Sequence, residues 1–204
     1  MPQRHLVILA KTPVIGRAKR RLAQDIGPVA AWQFAIKTAT RVSRPLVGDA
    51  RWQTWLALTP DRDAAQPLHF WPRPAKSIPQ GPGDLGQRMG RLLETLPPGP
   101  ALIIGTDIPA IRPHHIWRAF RALGRAAYVF GPTTDGGFWL VGAKRTPTGR
   151  MGLGNRLFNG VRWSTDHALD DTLRNIWVGN RVAFVDTLED IDDGDAYRRQ
   201  IKSI

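Results

Sequence analysis

The sequence contains no cysteine, so it can form neither a disulfide bond nor a thiolate metal site. It also contains no run of about 20 apolar residues, the length that a membrane-spanning helix needs. The opening segment MPQRHLVILA has only a short apolar run and no small-residue cleavage site, so we do not expect a signal peptide. Together these absences favour a cytoplasmic protein without a membrane span.

Acidic residues are few compared with basic ones. The 204 residues include 29 lysines and arginines but 17 aspartates and glutamates, which gives a formal net charge of +12. This surplus favours anionic partners such as phosphates, nucleic acid or acidic membranes, although a solvated basic surface explains the charge alone more simply. The basic residues are scattered and form no basic tail or nucleic-acid-binding motif, so nucleic acid is not expected as a partner.

Strand and helix patterns alternate along the chain. Apolar runs and turn signals predict strands at residues 6–10, 52–58, 69–71, 101–104, 127–131, 137–142 and 182–185. Helical spacing and N-cap signals predict helices at 28–42, 84–96 and 113–123, and further helices that begin near residues 164 and 193. Residues 72–83, rich in proline and glycine, are expected to form a long surface loop.

This alternation predicts a Rossmann-like α/β fold with a mostly parallel central sheet and helices on both faces. The length and the hydrophobic content of 42% are typical of one globular domain, and we assign residues 1–204 to a single domain. In such sheets ligands bind beyond the C-terminal ends of the strands. The side chains that follow each strand are therefore the candidates for function.

The loop after the first predicted strand is rich in basic residues, among them Lys11, Arg17, Lys19 and Arg21. A loop that opens a helix offers backbone N–H groups and the helix dipole to an anion, and arginine and lysine add positive charge. The segment lacks the G-x-x-x-x-G-K pattern of a Walker loop. Taken alone, it is equally consistent with a phosphate site and with a solvated basic loop.

Two later strands are followed by carboxylates. Asp107, in the segment GTDIP, stands at the end of a central strand, where a carboxylate can hold Mg²⁺ together with substrate phosphates. Asp135 precedes two glycines, which allow a backbone to pass close to a ligand. Taken alone, Asp107 is better explained as a cap of the turn before Pro109, and Asp135 as part of a tight hairpin turn.

Several carboxylates lie near the C-terminus: Asp186, Glu189, Asp190, Asp192, Asp193 and Asp195. They repel one another unless a cation or a helix N-terminus compensates, so they either cap the last helix or supply a second metal ligand. The segment GPGDLG matches G-x-G-x-x-G literally but follows a proline-rich loop, so a dinucleotide site is not expected there. The adjacent His114 and His115 are expected at the surface.

Six segments in order carry a family resemblance: AKTPVIGRAKRRLA, GDLGQRM, GTDIP, GPTTDGGFWLVG, WST and DIDDGDAY. From residue 6 to about residue 197 the chain resembles the bacterial nucleotide-diphospho-sugar transferase family, glycosyltransferases of the GT-A type. It is more distantly similar to 2-phospholactate guanylyltransferase and to molybdenum cofactor guanylyltransferase. The resemblance implies a GT-A fold and a transferase that uses Mg²⁺ or Mn²⁺.

The resemblance also implies roles for individual residues. The nucleotide would contact Lys11, Thr12, Gly16, Arg17, Lys19, Arg21, Gly83, Asp84, Leu85, Arg88 and Thr106, with the residues of 83–88 near the nucleoside. The metal would bind Asp107 and Asp192, and the acceptor side would include Asp135, Gly136 and Gly137. The catalytic residues would be Asp107, Asp135 and Lys19.

The sequence departs from the related families in three places, one of which is the last motif, where Asp193-Gly194 stands in place of the more usual Thr-Pro. The Asp-x-Asp metal motif of many GT-A enzymes is incomplete, because Gly105 stands two residues before Asp107. The first loop is poor in glycine and contains Thr12-Pro13, whereas related nucleotidyltransferases carry a glycine-rich loop there.

Three functions therefore remain open. The first is transfer of a sugar from a nucleotide sugar to a small-molecule acceptor. The second is nucleotidyl transfer from a nucleoside triphosphate to a small phosphorylated acceptor, with release of pyrophosphate. The third is a non-catalytic nucleotide-binding protein on the same scaffold, because a fold does not fix a function.

Overall fold

A computed structural model describes residues 3–73, 75–145, 156–191 and 193–202. Its centre is a seven-stranded sheet. The strands are β1 (His5–Lys11), β2 (Gln53–Thr59), β3 (Lys76–Pro79), β4 (Ala101–Ile104), β5 (Tyr128–Pro132), β6 (Phe138–Ala143) and β7 (Val182–Phe184). The helices described are α1 (Arg20–Ile26), α2 (Pro28–Val47), α3 (Arg62–Ala65), α4 (Leu85–Thr95), α5 (Pro113–Leu123), α6 (Ala168–Arg174) and α7 (Gly194–Lys202).

The strands lie in the order β3-β2-β1-β4-β6-β5-β7. Within this described sheet β6 alone is reversed: it pairs antiparallel with β4 and β5, while the other pairs are parallel. The prediction of a mostly parallel sheet is confirmed. As a result, the ends of β1 and β4 and the start of β6 meet at one edge of the sheet.

Helices cover both faces of the sheet, as predicted. On one face Leu6 and Ile8 of β1 belong to a core cluster with Leu46 of α2 and Ile116 of α5. On the other face Val7 belongs to a cluster that includes Met89, Leu92 and Leu93 of α4. Neighbouring residues of β1 serve opposite clusters because side chains alternate along a strand, and this explains its continuous apolar run.

The prediction of a third strand at residues 69–71 is wrong. The third strand is Lys76–Pro79, which lies inside the predicted loop 72–83. Trp71 is buried in the core and its ring lies 4.7 Å from that of Phe70, so these aromatic residues pack without joining the sheet. The actual strand is a short edge strand, and its partly exposed residues give it no apolar run to recognise.

Three further expectations need correction. The helix predicted near residue 164 begins at Ala168, because Ser164 adopts a left-handed conformation with φ of 61°. Helix α2 continues past residue 42 to Val47 and includes Pro45. His115 is buried rather than exposed, and its Nδ1 accepts a hydrogen bond from the backbone N–H of Arg112. Helix α1 was not predicted.

In the part of the chain described here, no helix is both long and apolar enough to cross a membrane.

Candidate active site

The site centres on an ion pair between the loops that follow β1 and β4. The ammonium Nζ of Lys19 lies 2.8 Å from Oδ1 of Asp107. The side chain of Lys19 is 8% exposed and that of Asp107 is 61% exposed. The two loops meet because β1 and β4 are parallel neighbours in the sheet. Asp107 therefore lies beside the basic loop at the C-terminal edge.

The backbone of the basic loop places Lys19 at this point. Lys19 is the N-cap of α1 and adopts the left-handed conformation, with φ of 44° and ψ of 57°. A non-glycine residue is uncommon there, and such residues concentrate at functional sites. Helix α2 holds the loop from outside, since Trp32 Nε1 donates to the carbonyl of Pro13 at 3.1 Å. Within the loop, the backbone N–H of Arg17 donates to the carbonyl of Val14 at 3.0 Å.

A small cavity of about 120 Å³ opens between the basic loop, α2 and Asp107. Its charged and polar lining consists of Lys11, Thr12, Arg17, Lys19, Thr38, Thr106 and Asp107. Lys11, Thr12, Arg17, Lys19 and Thr106 were predicted to bind the nucleotide and Asp107 to bind the metal, whereas the predicted Gly16 of the same loop and Arg21 of α1 do not line this cavity. Thr12 is buried, and its Oγ1 has no hydrogen-bond partner among the described residues. A buried hydroxyl without a partner costs about 1–3 kcal/mol, which a ligand oxygen or a water could relieve.

A larger cavity of about 300 Å³ lies on the other side of Asp107. Its apolar walls come from β4, β6, α4 and the loop before α6, and they include Leu85, Met89, Ile103, Phe138, Trp139 and Trp163. Its polar lining is Asp107, Thr133, Asp135, Ser164, Thr165 and Asp190. Asp107 thus lines both cavities and stands at the boundary between a basic pocket and a largely apolar one.

The loop between β5 and β6 orients Asp135. Oδ1 of Asp135 accepts hydrogen bonds from Thr133 Oγ1 at 2.5 Å and from the backbone N–H of Gly137 at 3.1 Å. Gly136 has φ of 83°, and a Cβ at this position would lie 2.1 Å from the carbonyl oxygen of Asp166. The carbonyl of Gly136 accepts from the backbone N–H of Leu169 at 3.1 Å. Asp135 and Gly137 line the larger cavity, while Gly136 fixes the loop against the residues before α6.

The residues predicted near the nucleoside mostly build the start of α4. Asp84 Oδ1 accepts from the backbone N–H of Gln87 at 2.8 Å, and Gln87 Oε1 accepts from that of Asp84 at 2.9 Å, which forms a capping box. Arg88 Nε donates to the carbonyl of Gly83 at 2.8 Å. Leu85 lines the larger cavity, whereas Gly83, Asp84 and Arg88 line neither cavity.

The acidic residues near the C-terminus separate into different roles. The predicted second metal ligand, Asp192, lies outside the described residues. Arg118 pairs with Asp186, Arg199 with Glu189 and Arg198 with Asp195, while Asp193 accepts from the backbone N–H of Ala196. Asp190 lines the larger cavity. Sequence reasoning placed Asp190 in the acidic cluster but did not single it out, because one cluster member cannot be chosen without the fold.

Asp107 is the candidate ligand for a divalent cation. Across the described ranges, no group of three or more histidine, aspartate or glutamate side chains is arranged to hold a metal ion. Mg²⁺ is commonly bound by one or two carboxylates together with substrate phosphates and water. The exposed carboxylate of Asp107, beside the basic cavity, fits this mode of binding.

This architecture, with one reversed strand and a cleft at the C-terminal edge, is the GT-A fold, in agreement with the resemblance of the sequence. The chain belongs to the bacterial family described as "Uncharacterized protein conserved in bacteria (DUF2064)", whose profile matches residues 43–165. No curated protein sequence matches it significantly.

Solved structures share the fold at low sequence identity. A candidate nucleotide-diphospho-sugar transferase from Desulfovibrio desulfuricans G20 superposes with a TM-score of 0.76 and 19% identity, covering 95% of this chain and 84% of that one. The 4-diphosphocytidyl-2C-methyl-D-erythritol synthase from Anaerococcus prevotii gives 0.64 and 11%, covering 99% of both chains. Glucosyl-3-phosphoglycerate synthase from Mycobacterium tuberculosis, solved with Mn²⁺, UDP and glucosyl-3-phosphoglycerate, gives 0.50 and 12%, covering 92% and 70%.

Proposed function

We propose that this protein is a metal-dependent transferase that binds the diphosphate of a nucleotide sugar and transfers the sugar to an acceptor hydroxyl. The observation that carries the proposal is the position of Asp107, which pairs with Lys19 and lines both the basic cavity and the larger cavity. This position would allow the carboxylate of Asp107 to act where the nucleotide-sugar donor meets the acceptor molecule. The absence of cysteine agrees with the reducing cytoplasm as its location.

The basic cavity is the proposed diphosphate site. Lys11, Arg17 and Lys19 supply positive charge from one loop, and arginine can also grip a phosphate through two hydrogen bonds. The cavity is small, so it suits a compact anion rather than a whole nucleotide. We place the nucleoside beyond it, toward residues 83–88 at the start of α4.

Asp107 is the proposed ligand of Mg²⁺ or Mn²⁺, with Asp192 as the predicted second ligand. The bound cation would supply electrostatic stabilisation of the negative charge that develops on the departing diphosphate. The ammonium of Lys19, which lies beside Asp107, would also stabilise the negative charge on the departing diphosphate. Glucosyl-3-phosphoglycerate synthase, which shares the fold, was solved with Mn²⁺ and UDP, and this supports a divalent metal together with a nucleoside diphosphate.

Asp135 is the proposed base on the acceptor side. Both of its hydrogen bonds from described residues go to Oδ1, so Oδ2 can accept the proton of an acceptor hydroxyl. The acceptor oxygen then bonds to the anomeric carbon as the bond from that carbon to the diphosphate oxygen breaks. The nucleoside diphosphate leaves with the electron pair of the broken bond, and Asp135 holds the proton.

The direct test is release of nucleoside diphosphate. The protein is incubated with UDP-, GDP-, ADP-, CDP- and dTDP-glucose and with GDP-mannose, each with Mg²⁺ or Mn²⁺ and with simple alcohols as acceptors. We expect release from at least one donor, and Asp107→Asn should lower it about 100-fold or more without unfolding the protein. Asp170→Asn, an exposed substitution on α6 that lies outside both cavities, is the matched control. Unchanged turnover in Asp107→Asn contradicts the mechanism.

Nucleotidyl transfer is the second candidate. It is supported by the superposition on 4-diphosphocytidyl-2C-methyl-D-erythritol synthase, which covers 99% of both chains. The same protein is therefore incubated with nucleoside triphosphates and small phosphorylated acceptors, and pyrophosphate is measured. Pyrophosphate without nucleoside diphosphate from any sugar donor favours this reaction. Nucleotide binding without either product favours a non-catalytic nucleotide-binding protein.

A further inference from the structure

The small cavity is lined by a polar side chain that comes from outside the basic loop. We infer that Thr38, in the middle of α2, donates a hydrogen bond from its hydroxyl to the phosphate group that this cavity binds, and that Thr12 does the same from the loop after β1. The small cavity is the proposed diphosphate site, so this role of Thr38 rests on the proposed transferase function.

Helix α2 forms one side of the small cavity. Among the described residues it contributes Ala35, Thr38 and Ala39 to the lining, which lie on one face of the helix because they are three and four residues apart. Thr38 is 3% exposed. It is the one polar side chain that the described part of α2 places in this lining, between two alanines that cannot hydrogen-bond through their side chains.

The hydroxyl of Thr38 lacks the hydrogen bond that buried hydroxyls in other helices of the protein make. Ser43 Oγ donates to the carbonyl of Ala39 at 2.6 Å, and Thr172 Oγ1 donates to that of Ala168 at 2.7 Å, in each case four residues earlier. Among the described residues, Thr38 makes no such bond and its hydroxyl has no other partner. Its hydroxyl is therefore available to a ligand.

Thr12 brings a second hydroxyl to the same cavity from the other side. The residue is 5% exposed, and its Oγ1 has no hydrogen-bond partner among the described residues. Two unpaired hydroxyls of buried residues thus line one cavity from two different elements. Each costs free energy while it is unpaired, so a ligand that supplies oxygen acceptors gains from both.

A phosphate group matches this lining. Lys11, Arg17 and Lys19 supply positive charge, and phosphate oxygens accept hydrogen bonds from hydroxyls as well as from cations. The cavity volume of about 120 Å³ is small against the roughly 300–1,000 Å³ of ordinary small-molecule pockets, which suits one compact oxyanion. Hydroxyls on two sides of the cavity would orient this anion, whereas a lysine acts on it as a point charge.

The hydroxyls are tested by replacing each with a methyl group of the same shape. Thr38→Val and Thr12→Val remove a hydroxyl, and Thr38→Ser keeps it. Thr172→Val is the matched control, because Thr172 is also buried in a helix but its hydroxyl is already bonded and it lines neither cavity. The probe is inorganic pyrophosphate with Mg²⁺, which carries a diphosphate without a base, and calorimetry on the full chain measures its dissociation constant.

We expect Thr38→Val and Thr12→Val each to raise the dissociation constant of pyrophosphate about tenfold or more, as for loss of one hydrogen bond to a charged group. Thr38→Ser and Thr172→Val should stay near the wild-type value. The urea midpoint should show the opposite contrast. It should not fall in Thr38→Val or Thr12→Val, since no hydrogen bond between described residues is lost, but it should fall in Thr172→Val.

Three results overturn the inference: no pyrophosphate binding by the wild type, an affinity that Thr38→Val leaves unchanged, or a lower urea midpoint in Thr38→Val. An unchanged affinity would mean that water rather than phosphate meets this hydroxyl, and a lower midpoint that the hydroxyl serves the fold.

Release of nucleoside diphosphate from a sugar donor tests the transferase proposal separately. Turnover together with an unchanged pyrophosphate affinity in Thr38→Val rejects the role of Thr38 alone. Pyrophosphate binding that depends on Thr38, without turnover of any sugar donor, supports the role of Thr38 in anion binding and rejects the transferase proposal.

Discussion

Nζ of Lys19 and Oδ1 of Asp107 lie 2.8 Å apart, although the residues follow different strands of the sheet. The ammonium is almost buried, while the carboxylate is largely exposed and lines both cavities. The pair therefore joins the basic loop to the centre of the cleft. It also gives the buried ammonium a counter-charge.

Lys19→Met should weaken binding of UDP in the presence of Mn²⁺ by about tenfold or more, because it removes a charged hydrogen-bond donor from the diphosphate site. Isothermal titration calorimetry measures the affinity. Arg20→Met is the matched control, since Arg20 is the next residue but is exposed and lines neither cavity. Equal affinities for the two variants would remove Lys19 from the diphosphate site.

Gly136→Ala should destabilise the protein by at least about 2 kcal/mol, because the new Cβ meets backbone that cannot move aside easily. It would lie 2.1 Å from the carbonyl oxygen of Asp166. Gly160→Ala is the control: Gly160 also has positive φ, but its Cβ would have no atom within 4 Å. That substitution should cost only about 1 kcal/mol, the price of the left-handed conformation. Urea unfolding compares the two, and a smaller effect at Gly136 than at Gly160 contradicts the packing described.

Asp84→Ala should lower the free energy of unfolding by about 1 kcal/mol, because it removes the N-cap of α4. Asp84→Asn should lower the free energy of unfolding much less, since the amide oxygen can still accept a hydrogen bond from the backbone N–H of Gln87. Chemical denaturation of both variants makes the comparison. Equal losses would mean that the charge, not the cap, stabilises this helix.

The stability of the protein should fall as the pH falls from 7.5 to 5, in part through His5. Burial lowers the pKa of His5 below its ordinary value of 6.5, and the carbonyl of Pro98 opposes this only in part. Nδ1 of His5 is 3.2 Å from Nε1–H of Trp55 and accepts from it, so a second proton on the ring has no acceptor there. Since the unfolded chain then binds more protons below about pH 6.5, acid favours unfolding.

The measurement is the free energy of unfolding of wild type and of His5→Phe at pH 7.5 and at pH 5. His5→Phe is expected to be less stable at both pH values, because it loses the contacts with Trp55 and Pro98. Its free energy of unfolding should, however, fall less between pH 7.5 and pH 5 than that of the wild type. His69→Phe, at an exposed position, controls for the loss of a histidine. An undiminished decrease in His5→Phe would show that His5 does not contribute.

The predictable parts of the fold were those with strong local patterns. β1 and β4 are continuous apolar runs because both faces of these strands are buried, and Asp84 signalled the start of α4 because its capping box is local. The parallel sheet then placed the segments after β1, β4 and β5 at one edge. The edge strand β3 was missed because it lacks an apolar run, and the start of α6 because Ser164 forms a turn instead of a cap.

Long-range contacts could not be predicted from local patterns. The buried guanidinium of Arg145, two residues after β6, donates to the carbonyls of Leu93 at 2.6 Å, Gly99 at 2.9 Å and Pro97 at 2.5 Å. It thereby satisfies carbonyls at and after the end of α4. The position of Asp190 in the larger cavity is likewise a product of tertiary structure. At the site, the sequence indicated a basic loop and an aspartate but not the separation of charge between two cavities.

A crystal structure of the protein with UDP and Mn²⁺ tests the central claim most directly, because the anomalous signal of manganese locates the metal independently of the protein. We expect the manganese peak within coordination distance of an Asp107 oxygen, with the diphosphate in the small cavity beside Lys11, Arg17 and Lys19. A manganese peak remote from Asp107, or a diphosphate bound away from the basic loop, would contradict the account.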